Sequence, residues 1–285
     1  MVPLQRADSP WPLHVPIMVG ALVVVFAVLY APVFAWLVRS WLDNEIYQHG
    51  FLVPAIAGYL VWLRRRELGS LPVRPSLVGG AAVLALGGLM LVLGKVGSVL
   101  VLLVETSLLV TLAGLVLLLL GPAFLKALAL PLGYLSFMIP LVADRTIWVH
   151  WPFQLLAATV STELLQLLGL AAHREGLFIV LPRVTLEIAE ECSGIRFMIS
   201  VIAVGIPLAY LTQRTWRRGV GLIAIGVAIG ILANSVRVAL IGVWAYLDGE
   251  VLNGPLHVLQ GMFVAWAGYA ALVVGAWALS RESVR

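Results

Sequence analysis

Residues 98–120 read SVLVLLVETSLLVTLAGLVLLLL, an apolar run that matches the roughly 20 residues a helix needs to cross the hydrocarbon of a bilayer. Further runs fall at 14–38, 48–63, 77–94, 124–141, 151–172, 193–212, 219–244 and 257–279. They are continuous and long, not alternating, which excludes an outer-membrane β-barrel. Hydrophobic residues fill 62% of the 285 positions and charged residues only 11%. A water-soluble fold has no means of hiding that much apolar surface, so lipid must cover much of it. The expected class is an all-α polytopic membrane protein, organised as a single domain over residues 1–285 without repeats or low-complexity tracts.

Two runs depart from the pattern. The 124–141 run is short and carries Pro131 and Pro140, whereas 151–172 holds Gln154, Ser161, Thr162, Glu163 and Gln166 and is amphipathic. One of the two is expected to lie in the interface or re-enter. Arg64, Arg65, Arg66 and Arg74 follow the second run, and Arg214, Arg217 and Arg218 follow the seventh. The positive-inside rule makes both clusters cytoplasmic, and the two agree if one of the ambiguous runs spans. The expectation is a bundle of about eight transmembrane helices with both termini in the cytoplasm. No cleavable signal peptide is expected, because the first run follows a Pro-rich start and lacks a small-residue cleavage site. The formal net charge of +4 reflects loop arginines and gives no reason to expect nucleic acid as a partner.

Between runs six and seven the texture changes. Residues 176–189 are rich in β-branched side chains around a Pro182-Arg183 break, the pattern of a short β-hairpin outside the membrane. It leads into Glu190-Glu191-Cys192. Cys192 is the only cysteine, so one chain builds no disulfide framework or multi-thiolate metal site, and neither metal nor cofactor is expected.

Three residues carry the chemistry. Arg237 lies far into an apolar run, where an ionisable group costs about 2.5–3.5 kcal/mol on insertion scales and marks a functional candidate. From the cytoplasmic Arg218, 19 residues of helix rise about 28 Å, which brings Arg237 near the outer interface on the face of Asn234. Cys192 opens the next-to-last-but-one run, where free amides and the helix dipole favour a thiolate and Arg196 adds positive charge. His257 opens the final run, and histidine is the side chain suited to proton transfer near neutral pH. Each also has a plainer reading: an arginine snorkelling to headgroups, a cysteine acting as a small hydrophobe, an interfacial histidine bonded to backbone. His49, His150 and His173 share that last reading. Together, however, a thiol, a guanidinium and an imidazole at one membrane face supply a nucleophile, an oxyanion partner and a proton carrier.

Glu191-Cys-Ser-Gly-Ile-Arg-Phe197, Leu232-Ala-Asn-Ser-Val-Arg-Val238 and His257-x-x-x-Gly261 resemble the three signature blocks of exosortases. His49-Gly-Phe-Leu-Val-Pro-Ala-Ile56, Phe137-Met-Ile-Pro140 and Arg174-Glu-Gly-Leu-Phe-Ile-Val-Leu-Pro182 also look like segments of that family. The resemblance runs from about residue 25 onward; Met262 stands where the family pattern has an aromatic residue. It implies a cysteine transpeptidase of the Gram-negative inner membrane, facing the periplasm. Its substrates would be membrane-anchored proteins ending in a Pro-Glu-Pro-type motif, a transmembrane helix and a basic cluster. The triad maps to Cys192, Arg237 and His257, with Glu191, Ser193, Arg196, Asn234 and His49 binding substrate or supporting the site. Three other readings stand beside it: a hydrolase that passes the same thioester to water, a transporter or scaffold for exopolysaccharide export that uses no thiol chemistry, and a cysteine-based lipid acyltransferase that would form a fatty acyl thioester.

Overall fold

Lipid offers a spanning backbone no hydrogen-bond partner, so long apolar stretches close their own bonds as helices. A computed structural model describes residues 14–97, 101–140, 147–248 and 255–281. In chain order the helices are α1 (His14–Asp43), α2 (Leu52–Leu63), α3 (Arg65–Ser70), α4 (Leu77–Val96), α5 (Val101–Leu119), α6 (Pro122–Ala127), α7 (Ala129–Tyr134), α8 (Ile147–Leu167), α9 (Ile195–Thr212), α10 (Trp216–Asp248) and α11 (Pro255–Arg281). Short 3-10 helices cover Glu45–Phe51, Leu135–Met138 and Glu190–Cys192. Three short strands, β1 (His173–Glu175), β2 (Phe178–Val180) and β3 (Thr185–Glu187), lie between α8 and α9.

Among the described residues, six helices are long and apolar enough to cross a membrane: Gly20–Asp43 of α1, α4, Leu102–Leu119 of α5, α9, Trp216–Leu247 of α10 and Met262–Leu279 of α11. The protein is therefore a multi-pass membrane protein. The remaining apolar runs fall short of that standard for three different reasons. The 48–63 run yields only the 12 residues of α2, because its first part winds as a 3-10 helix. The 124–141 run breaks into α6, α7 and a 3-10 turn. Helix α8 has 21 residues, enough length, but too many polar side chains. Where a two-stranded hairpin was expected, β1 adds a third strand, giving an antiparallel sheet of order β1-β2-β3.

The chain's contacts divide into two compact units, Met1–Asp43 with Ser70–Leu132, and Asn44–Gly69 with Gly133–Arg285. In the first, α4 and α5 pack along a seam of small residues. Gly80, Gly87 and Gly94 are buried at seven-residue intervals, which places them in one stripe of α4. A Cβ on Gly80 would sit 2.5 Å from the Leu118 Cα, and one on Gly87 would sit 2.3 Å from the Thr111 Oγ1. The backbones therefore approach as only glycine permits. The buried Tyr30 hydroxyl of α1 lies 2.7 Å from Thr111 Oγ1 and 3.1 Å from Ser107 Oγ of α5, so these hydroxyls satisfy one another where lipid would not. Where the chain turns after α5, Gly121 adopts φ +96 against the Arg74 carbonyl, a conformation and a gap that only glycine fits.

In the second unit, α9, α10 and α11 pack on one another around Val201, Leu222, Leu272 and Ala276. Gly226 and Gly268 permit this approach, since a Cβ on either would come within 2.7 Å of Leu272 or Val201. One end of this unit is basic. Arg64, just past α2, donates from Nε to the Tyr210 hydroxyl at 2.8 Å, Arg218 donates to the Leu279 carbonyl at 3.3 Å, and Gln213 reaches the Ala276 carbonyl at 3.4 Å. Arg64, Arg218 and the last turns of α9 and α11 thus share one end of this unit. Toward the opposite end, α8 and α10 sandwich the inner face of the sheet. Ala158, Leu165, Ile179, Leu186, Ile188, Val238 and Ala245 form that core, with Cys192 packed against it.

The glycine seam gives a direct prediction. Replacing Gly80 by Leu forces α4 and α5 apart and should cost about 1–3 kcal/mol. Gly88, with nothing within 4 Å of its Cβ position, is the control and should tolerate leucine. Thermal midpoints of the detergent-solubilised variants compare the two.

Candidate functional site

The site begins where β3 leaves the sheet. Ile188 donates its N–H to the Leu177 carbonyl at 3.0 Å, and its own carbonyl accepts the Gln154 Nε2 of α8 at 2.8 Å. With both backbone groups spent, the chain turns into a single 3-10 turn. Cys192 N–H bonds the Ala189 carbonyl at 2.9 Å, and Ser193 N–H bonds the Glu190 carbonyl at 3.0 Å. Gly194 then adopts φ +79, and α9 starts at Ile195. A side chain at Gly194 would be strained by that φ and would also lie 3.1 Å from the Asn234 amide carbon and nitrogen. Cys192 is half-buried at this turn and its sulfur is in no disulfide.

Helix α10 closes the turn from the side. Asn234 Nδ2 donates to the Cys192 carbonyl at 2.8 Å, fixing the peptide plane directly after the thiol-bearing residue. Asn234 is 2% exposed, and its Oδ1 is buried without a hydrogen-bond partner among the described residues. Three residues further along α10, Arg237 is 1% exposed, the largest fully buried side chain described. It is close enough to Cys192 and Arg196 for charge interaction with both. Arg237 therefore does not snorkel into water. Cys192, Ser193, Arg196, Asn234 and Arg237 form one cluster.

The remaining expected residues stand as follows. His257 is the third residue of α11, and its side chain lies outside the described residues. Its backbone height follows from the helix rise: 22 residues back from Leu279 is about 33 Å, against about 28 Å for Arg237 above Arg218. The two backbones are thus level within about one helical turn. Glu191 belongs to the 3-10 turn, and its side chain also lies outside the described residues. His49 sits in the Glu45–Phe51 3-10 helix, its Nε2 3.1 Å from the Phe137 carbonyl. The acidic Glu187 and Glu190 are exposed, so solvent screens them from the thiol.

One participant escaped the sequence reading. His150 of α8, grouped there with bland interfacial histidines, is 4% exposed and places Nδ1 3.1 Å from the Ser193 hydroxyl. Its one sequence signal is that it lies in a helix already too polar to face only lipid.

If the turn is held as described, Gly194→Ala should destabilise it by about 1–2 kcal/mol, the cost of a side chain in left-handed backbone. The measurement is twofold: a lower thermal midpoint, and an altered rate of Cys192 alkylation relative to the parent protein.

With this geometry in place, comparison with known proteins identifies the lineage. No curated protein and no solved structure matches the chain. A family model described as Transmembrane exosortase (Exosortase_EpsH) matches residues 41–274, a stretch that includes the cysteine turn, the Asn234–Arg237 segment and the start of α11. The chain belongs to the transmembrane exosortase family.

Proposed function

We propose that the protein is a cysteine transpeptidase that cleaves the C-terminal sorting signals of membrane-anchored exported proteins and transfers them to an envelope acceptor. The observation that carries this reading is the clamped turn. The one thiol in the chain stands on a peptide plane fixed by Asn234, within charge range of a guanidinium that is 1% exposed. A buried, water-excluded cation is worth far more to a developing oxyanion than one in solvent.

The substrate's scissile carbonyl is attacked by the Cys192 sulfur, and Arg237 meets the negative charge that gathers on its oxygen. Collapse breaks the C–N bond. His257 gives a proton to the departing amine, leaving the upstream protein joined to Cys192 as a thioester. An amine or hydroxyl of the acceptor then attacks the thioester carbonyl and gives its proton to His257, and the sulfur leaves as thiolate. Arg196, half-buried one turn from the nucleophile, is placed to pair with an acidic residue of the sorting motif. Water in place of the acceptor would give hydrolysis, and product mass separates the two: a free carboxylate against an adduct.

In this reading the basic end of the second unit is cytoplasmic, and the cysteine turn faces the periplasm of a Gram-negative inner membrane. About eight crossings follow if two segments join the six apolar helices. The 3-10 helix Glu45–Phe51 followed by α2 rises about 32 Å when laid end to end, enough for the hydrocarbon core. In α8 the polar side chains find partners within the protein: Gln154 on the Ile188 carbonyl, Ser161 on the Ser235 carbonyl, Thr162 on the Ala158 carbonyl and Gln166 on the Ala172 carbonyl. Such pairing lets a polar helix cross.

Two experiments test this. Co-expressed with a sorting-signal substrate, Cys192→Ala and Arg237→Ala should each lower processing by at least about a hundredfold, and His257→Ala by a similar factor. Undiminished processing by Cys192→Ala would end the proposal and favour a transport or scaffold role. Because Cys192 is the sole cysteine, the unmodified protein reports its own topology. A membrane-impermeant maleimide should label it from the periplasmic side of intact cells, and labelling only after lysis contradicts the orientation.

A further inference from the structure

The thiol's neighbour, Ser193, is bound to a helix that the reaction above does not use. Ser193 is 5% exposed, and its hydroxyl lies 3.1 Å from Nδ1 of His150, which is 4% exposed and belongs to α8. The same hydroxyl accepts the Ile195 N–H, a long contact at 3.4 Å, at the first residue of α9. Two buried polar groups facing each other in an apolar setting stay only if they pair, because either one left alone pays its full desolvation cost.

The turn is therefore held from two sides. Asn234 of α10 fixes the carbonyl of Cys192 at 2.8 Å, and His150 of α8 fixes the side chain of the residue that follows. Between those anchors lies the single peptide unit from the Cys192 carbonyl to the Ser193 Cα. With the Cys192 N–H also held on the Ala189 carbonyl at 2.9 Å, fixing this unit sets the direction of the Cys192 Cα–Cβ bond and leaves the sulfur its χ1 rotation. Gly194 gives the turn no alternative position, since Asn234 fills the space beside it.

We infer that His150 is a positioning residue for the nucleophile, acting through the Ser193 hydroxyl; this rests on the reading of Cys192 as the attacking group. Without the His150 contact, the peptide unit after Cys192 rotates and the sulfur leaves the line of attack, and displacements of about 1 Å cost up to a hundredfold in rate. Binding of the substrate is untouched, so the loss falls on kcat and not on KM. The contact uses Nδ1, which makes it chemically specific. An asparagine at position 150 places its amide where Nδ1 lies, whereas a glutamine reaches toward Nε2.

The test measures kcat and KM of the full-length protein in detergent or proteoliposomes with a sorting-signal peptide. It also measures the rate of Cys192 alkylation by a small maleimide, which requires no catalysis. His150→Phe and Ser193→Ala should each lower kcat about tenfold to a hundredfold with KM held within about twofold, and both should alter the alkylation rate. The double variant should be no worse than the poorer single one, because both remove the same contact. His150→Asn should restore most of kcat and His150→Gln should not. Equal behaviour of the Asn and Gln variants, or additive losses in the double variant, overturns the proposal. If His150→Phe fails to accumulate in the membrane, the Asn–Gln comparison decides alone. Failure of the underlying reading looks different: parent protein that forms no Cys192 thioester with the peptide defeats the transpeptidase assignment, while the alkylation rates of the variants still report whether His150 orients the thiol.

Discussion

A guanidinium buried to 1% exposure in a 33-residue apolar helix sets the terms for everything around it. Moving a charge out of water is expensive, and lipid supplies nothing in return. Within the apolar stretch of α10, the polar Asn234 and Ser235 lie near that charge. Asn234 and Ser235 are buried just before Arg237, Ser161 of α8 bonds the Ser235 carbonyl at 2.8 Å, and Asn234 bonds the Cys192 carbonyl. These residues tie α8, α10 and the cysteine turn together beside the buried charge.

The two units solve the lipid constraint in different ways. The first is nearly free of chemistry. Its α4 and α5 gain contact by removing side chains at Gly80 and Gly87, and its buried hydroxyls pair between α1 and α5. The buried Glu105 of α5, at 3% exposure, is its exception. The second unit keeps polar side chains in quantity and joins several elements with them, His150 of α8 to Ser193 and Asn234 of α10 to the Cys192 carbonyl. Only the second approach builds a site, because a catalytic arrangement needs groups from several elements fixed at one place.

How much of this was legible in the sequence depended on whether the signal was local. Six long apolar helices could be read directly, since hydrophobicity over about 20 residues decides them without knowledge of neighbours. The run at 48–63 was legible as apolar, but its 3-10 beginning was not, because i to i+3 and i to i+4 bonding compete within fractions of the same composition. The third strand escaped for a related reason: His173-Arg-Glu175 is polar throughout and becomes a strand only by pairing with Phe178–Val180. Cys192, Asn234 and Arg237 were legible because each is an anomaly where it stands. His150 was not anomalous, and its meaning lies in a hydroxyl on another element. His257 stands out by motif and helix height, and its side chain lies outside the described residues.

Screening explains why the acidic residues around the thiol do not cancel its positive neighbour. Glu187 and Glu190 lie exposed, where a Debye length of about 8 Å at physiological ionic strength limits their reach. Arg237 lies where water and counterions are excluded, and the same unit of charge acts there through a much lower effective dielectric. A count of charges along residues 187–196 gives three carboxylates against one arginine and misjudges the field at the sulfur. Burial weights each charge differently, and the weighting favours the one contributed by α10. In the proposed mechanism an oxyanion forming at Cys192 meets the charge of Arg237 in this water-poor setting. The packing of α8, the sheet and α10 around Ile179, Leu186 and Val238 keeps the neighbouring core apolar. In this sense the hydrophobic core beside the turn contributes to the electrostatics as well as to the fold.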